Sequence, residues 1–98
     1  MEIKKNLNGN KLEVVLVGRL DTTTAPELEE ALRDELENVT CLVYDFTDLE
    51  YVSSAGLRVL LANQKVMNAK GEMKITHVNQ SIMEVFEVTG FSNILTIE

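Results

Sequence analysis

Two adjacent serines, Ser53 and Ser54, head the stretch "SSAGLRVLLA" and stand directly before an aliphatic run. A serine hydroxyl attacks a carbonyl once a base takes its proton, and it also accepts a phosphoryl group from a kinase. The chain holds one histidine, His77, and acids at Asp21 and Asp45 that a sheet edge could bring near the serines. A nucleophile, base and acid set is therefore open to a small hydrolase. The local pattern argues against it, because a nucleophile elbow reads G-x-S-x-G and position 52 is Val. No G-x-x-x-x-G-K-[ST] phosphate loop occurs either. One cysteine, Cys41, and one histidine cannot build a common zinc site, so neither a metal nor another cofactor is expected.

Two readings of the serines remain open. As a helix N-cap, a serine oxygen accepts a backbone N–H of the first turn and contributes about 1 kcal/mol. Small Ala55 and Gly56 would then let that turn sit tightly on a sheet. Capping, however, needs only one serine. The second reading is a switch. A helix start concentrates unpaired N–H donors and the positive end of the helix dipole, so a phosphoserine at Ser54, adding about −1.5 to −2 charge, is tolerated there. Asp21 and Asp45 would deepen the local negative potential and so favour one partner over another.

The elements that must position these residues follow from periodicity. "EIKKNL" and "KLEVVLVGRL" flank Asn8-Gly9, a strong hairpin signal. In "TTTAPELEEALRDELENV", Thr24 and Glu27 have capping-box spacing, Pro26 suits a first turn, and Leu28, Leu32, Leu36 and Val39 form one apolar stripe. One helix is predicted over this stretch. "CLVYDF" reads as a strand, with Cys41 as a small buried residue. Residues 55–69 read as a helix closed by Gly71 in a left-handed position, "EMKITHV" as a strand, "NQSIMEVFEVTG" as a helix and "NILTIE" as a last strand. Strands joined through helices lie parallel by right-handed crossovers. The expected fold class is α/β: a mostly parallel sheet with one antiparallel edge strand and crossover helices. Sites in such sheets gather at the carboxyl ends of the strands, where Asp21, Ser54 and His77 all fall.

At 98 residues the chain is expected to be one domain, 1–98. Sixteen acidic against nine basic residues give a formal charge of −7, which opposes binding to nucleic acid or anionic lipid. With no apolar run near a membrane span and no signal-like N-terminus, a cytoplasmic protein is expected.

Three segments together resemble the STAS domain family, and within it the stand-alone anti-sigma factor antagonists. "VGRLDTTTAPELEEAL" resembles the family's G-x-L-D segment and first helix. "LVYDFTDLEYVSSAGLRVLL" resembles its strand, aspartate and D-S-S/T-G-L phosphorylation loop, and "GEMKITHVNQSIMEVFEVTGFSNIL" its closing segment. The resemblance implies a non-enzymatic binding protein. Unphosphorylated, it would bind an anti-sigma serine kinase of histidine-kinase-like ATPase fold and so free a sigma factor; phosphorylated, it would be released, and a serine phosphatase would reset it. The phosphoacceptor carried over is Ser54, with Ser53 as the other hydroxyl. Asp21, Thr22, Thr23, Thr24, Asp45, Ser53, Ala55, Gly56 and Arg58 form the expected partner surface. The family's acidic residue before the acceptor is Ser53 here, and many relatives add a helix after the last strand. The alternative within the family is a constitutive subunit of a larger assembly, such as a lipid-transport ABC system.

Overall fold

The computed structural model describes residues 1–98. The hairpin forms where Asn8-Gly9 predicts it: β1 (Glu2–Asn8) runs antiparallel to β2 (Lys11–Leu20), with Asn8 paired to Lys11 and Gly9 at a φ of 66°. The chain continues through α1 (Ala25–Leu32), a 3-10 turn (Glu35–Asn38), β3 (Cys41–Val52), α2 (Ser54–Asn68), β4 (Glu72–Thr76) and α3 (Gln80–Thr89). The sheet order is β1-β2-β3-β4, with β2, β3 and β4 mutually parallel. The expected fold class, a mostly parallel sheet with one antiparallel edge strand, is borne out.

Alternation places the core. Leu12, Val14, Leu16 and Leu20 of β2, Leu42, Tyr44 and Phe46 of β3, and Met73 and Ile75 of β4 are buried, while their sequence neighbours Glu13, Val15, Asp45 and Lys74 are partly exposed. The buried set joins Leu28 and Leu32 of α1, Leu60 and Met67 of α2, and Ile82 and Phe86 of α3 in one cluster of 23 residues. The helices thus cover one sheet face, and the other stays open. Each fully buried Leu contributes about 1.5–3 kcal/mol by leaving water. Tyr44 keeps its hydroxyl satisfied inside this core by accepting from Asn63 Nδ2 at 2.5 Å, and burial pushes its phenol well above the ordinary tyrosine range.

Five local expectations are corrected. The predicted helix over residues 22–39 is α1 plus the 3-10 turn. Its apolar stripe nevertheless holds, because Leu28, Leu32, Leu36 and Val39 are all buried. β3 does not stop at Phe46 but runs to Val52, and register shifts between Val15/Val17 and Gly18/Arg19 of β2 absorb its extra residues. Gly71 is not in a left-handed conformation; it is glycine because a Cβ there would lie 1.8 Å from the Thr40 carbonyl oxygen. The left-handed closing glycine belongs to α3, at Gly90 with φ 82°. The predicted strand "NILTIE" is a 3-10 turn (Phe91–Asn93) followed by a single parallel bridge between Ile75 and Ile97. Cys41 is half-buried, its Sγ 3.6 Å from Glu72 Oε1; desolvation first, and then the Glu72 carboxylate, raise its thiol pKa.

Candidate functional site

The two serines divide the two roles that one helix start offers. Ser53 is the N-cap: its backbone is extended (φ −92°, ψ 177°) and its Oγ accepts from the Gly56 N–H at 3.3 Å. Ser54 is the first helical residue and is exposed. Its hydroxyl is therefore presented outward while its neighbour caps the helix. The turn is pinned to the sheet, because the Ser53 N–H donates to the Leu20 carbonyl at 2.8 Å. Gly56 makes this approach possible, since a Cβ there would meet Leu20 Cγ at 2.7 Å and the Leu20 carbonyl oxygen at 3.0 Å.

Beside the serines lies the turn after β2. Asp21 Oδ1 accepts from the N–H groups of Thr23 (3.0 Å) and Thr24 (3.1 Å), bonds that hold its carboxyl below the usual aspartate range. Thr24 Oγ1 accepts from the Asp21 N–H (2.8 Å) and donates to the Arg19 carbonyl (2.7 Å). The Asp21 carboxylate, not the Thr24 hydroxyl, thus holds the turn into α1, and the Ala25 N–H that opens the helix donates to the Asp21 carbonyl at 2.8 Å. The predicted capping box does not form, because Thr24 is itself in helical conformation and makes no side-chain cap bond. Thr22 and Thr23 are left exposed. Between the two helix starts runs a groove of about 210 Å³ lined by Thr22, Ala25, Pro26, Glu29, Ala55, Arg58 and Val59. A larger groove of about 470 Å³, between Leu32, Leu36, Asn63 and Lys70, lies away from the serines.

Asp45 and His77 form a second, separate cluster. Asp45 Oδ1 accepts from the Thr47 hydroxyl (2.6 Å) and N–H (2.9 Å), with His77 Nδ1 at 3.3 Å; these partners, Thr47 first, lower its pKa. Asp45 pairs with Val15 and the serine loop abuts Leu20, so five residues of β2, roughly 16 Å of strand, separate them. The histidine's acid partner is therefore remote from Ser54, and no serine, histidine and acid relay is assembled. His77 has a φ of 59°, a conformation uncommon for a residue with a Cβ.

Sequence reasoning missed one surface feature. Arg19 lies over the Tyr51 ring at 4.4 Å from its centroid, with its Nε 3.9 Å from Asp21 Oδ2, and Tyr51 is 40% exposed. The two are cross-strand neighbours only because of the bulged β2–β3 register. The buried Leu49 and Val52 on either side of exposed Glu50 and Tyr51 were the one available signal that β3 continues.

Fold and loop together define a class: a two-layer α/β domain whose exposed serine heads a helix at the carboxyl edge of a mostly parallel sheet. The STAS domain model matches residues 2–98, and the chain belongs to the STAS domain family. It is 29% identical over 91 residues to the anti-sigma-B factor antagonist of Bacillus subtilis, covering 92% of this chain and 84% of that protein. With the anti-sigma-B factor antagonist of Staphylococcus aureus it shares 32% identity over 87 residues, 87% of this chain and 81% of the relative. Among solved structures, unphosphorylated SpoIIAA, an anti-sigma factor antagonist, superposes with a TM-score of 0.84 at 16% identity, covering 99% of this chain and 88% of that one. Bacillus SpoIIAA in its phosphorylated form gives 0.77 at 16% identity (99% and 91%). An anti-sigma factor antagonist from Mycobacterium paratuberculosis gives 0.87 at 21% identity (98% and 83%). These structural likenesses establish the fold. No helix of the chain is long and apolar enough to cross a membrane.

Proposed function

We propose that this protein is an anti-sigma factor antagonist that works by partner switching, with Ser54 as its phosphoacceptor. The observation that carries the reading is the division of labour at α2: Ser53 caps the helix and Ser54, one residue on, is exposed and free to react. The relatives at 29% and 32% identity bear the name anti-sigma-B factor antagonist, which supports the same role. Unphosphorylated, the chain binds an anti-sigma factor that is also a serine kinase of histidine-kinase-like ATPase fold, and the sigma factor is freed. The contact surface is Asp21, Thr22, Thr23, Thr24, Ser53, Ala55, Gly56 and Arg58. Asp45 belongs to it only if the partner spans the roughly 16 Å to the second cluster.

Release follows phosphoryl transfer. Ser54 Oγ attacks the γ-phosphorus of ATP held by the kinase, the bond to the β-phosphate oxygen breaks, ADP departs and the hydroxyl proton is lost to solvent. The new charge sits where the helix dipole and spare N–H donors accept it, so the domain stays folded while its surface becomes more negative toward the partner. A serine phosphatase reverses the step. The chain itself is a binding protein and not an enzyme.

The deciding experiment is an affinity capture from the native cell with wild type, Ser54→Ala and Ser54→Asp, the retained proteins being identified by mass spectrometry. A histidine-kinase-like ATPase held by wild type and Ser54→Ala but lost from Ser54→Asp is the expected result. Equal recovery of the same complex by all three, for instance a transporter ATPase, would overturn the switch and favour a constitutive subunit.

A further inference from the structure

Arg58 is the only cation lining the groove between the starts of α1 and α2, and Glu29 is its only anion. Arg58 is exposed and takes part in none of the ion pairs of the protein, so its guanidinium is uncommitted. It stands four residues after Ser54 on the same α-helix. Residues at that spacing are neighbours on one face, and the Cα–Cβ bonds of a helix tilt toward its N-terminus. The arginine therefore leans back over the turn that carries the serine. The groove places it beside Ala55, the residue next to Ser54, and Thr22 of the adjoining loop.

We infer that Arg58 is an internal receiver for a phosphate on Ser54, and that phosphorylation withdraws the groove's one cation. The inference rests on Ser54 as the acceptor and adds the element that senses its charge. A phosphoserine at position 54 offers oxygens that a guanidinium grips through charge-assisted, two-point hydrogen bonds. Before modification, Arg58 is available to an acidic side chain of a partner seated on the groove. After modification it is held by the phosphate, and Glu29 leaves the groove acidic. One chemical event then acts twice on the same surface: it adds negative charge at Ser54 and removes positive charge beside it.

The test does not need the partner. Full-length protein is made with phosphoserine encoded at position 54, in wild-type, Arg58→Ala and Arg58→Lys backgrounds, and the phosphate is titrated by phosphorus NMR. A free phosphoserine has its second pKa near 6, and pairing with Arg58 should lower it by about half a unit relative to Arg58→Ala. Arg58→Lys should recover part of that shift, and added salt should shrink it. Equal titration in all three proteins would overturn the inference. The parent reading fails separately: protein isolated from its own cells with no phosphate on Ser54 under any growth condition would sink the switch, whatever the titration gives.

Discussion

The two ends of the sheet are held by different chemistry. At the amino end the turns are stitched backbone to backbone: the N–H groups of Thr40 and Cys41 donate to the Asn10 carbonyl at 2.9 and 3.2 Å, and the Glu72 N–H to the Thr40 carbonyl at 2.9 Å. At the carboxyl end, polar side chains serve the backbone. Asp21 holds the turn into α1, Ser53 caps α2, and Asn79 caps α3 while donating to the Leu49 carbonyl at 3.0 Å. A mostly backbone-stitched end makes few sequence demands beyond space, the main one being Lys70, whose ammonium donates to the Leu36 and Glu37 carbonyls. The side-chain-held end ties specific polar residues to internal duty. Among what is left over, the side chains of Thr22, Thr23, Ser54 and Arg58 beside the serine loop are free to meet something else.

This contrast can be broken by substitution, and the largest effect belongs to the amino end. Gly71→Ala drives a Cβ into the Thr40 carbonyl, a backbone group that cannot swing aside, and should cost about 3 kcal/mol in denaturant unfolding. A loss below that of an ordinary surface substitution would show that the Thr40 turn gives way and that the amino end is the looser of the two. Gly56→Ala comes next. Its Cβ meets a leucine side chain that can shift and a carbonyl that cannot, so about 1–3 kcal/mol should be lost.

The serine pair sharpens the comparison further. Ser53→Ala removes the cap of α2 and should cost about 1 kcal/mol, whereas Ser54→Ala should stay within about 0.5 kcal/mol of wild type. Urea midpoints of the two variants measure this directly. The reverse order would exchange the roles assigned to the two hydroxyls.

The smallest effect is read from pH. Asp45 has a pKa below the ordinary value of 3.8 in the folded protein, mainly through Thr47, so its contribution to stability is fully present above the unfolded value. It is lost as pH falls through the depressed folded value. Asp45→Asn should therefore be slightly less stable than wild type near neutrality and should flatten the acid limb of the stability curve, measured by urea midpoints from neutrality into acid. An unchanged acid limb would mean that the Thr47 and His77 contacts do not persist in solution.

Most of the architecture was legible because period-two and helical patterns are set by which residues leave water. The stripe Leu28, Leu32, Leu36 and Val39 announced a buried face, yet it could not reveal that α1 ends at Leu32, since a 3-10 turn presents Leu36 to the same core. The end of β3 was hidden by the polar run Thr47, Asp48, Glu50 and Tyr51, where β3 carries an extra residue against β2 at two register shifts. The final strand failed because it makes a single bridge, with the Ile75 N–H donating to the Thr96 carbonyl and the Glu98 N–H to the Ile75 carbonyl. At the site, the serine loop, Asp21 and Gly56 were readable from residue type. Which serine caps was not, because a one-residue shift of the helix start exchanges the two roles. The pairing of Asp45 with His77 and the stacking of Arg19 on Tyr51 are cross-strand facts that no local pattern encodes.

The order of strands across the sheet repeats their order along the chain, β1-β2-β3-β4. Each new strand therefore docks on the free edge left by its predecessor, and no pair already formed has to open to admit a later one. The two-residue hairpin loop can close first, and each helix with its following strand then adds to a growing edge. A chain emerging from the ribosome can fold in the direction of its synthesis, with the serine loop set on Leu20 before β4 is made.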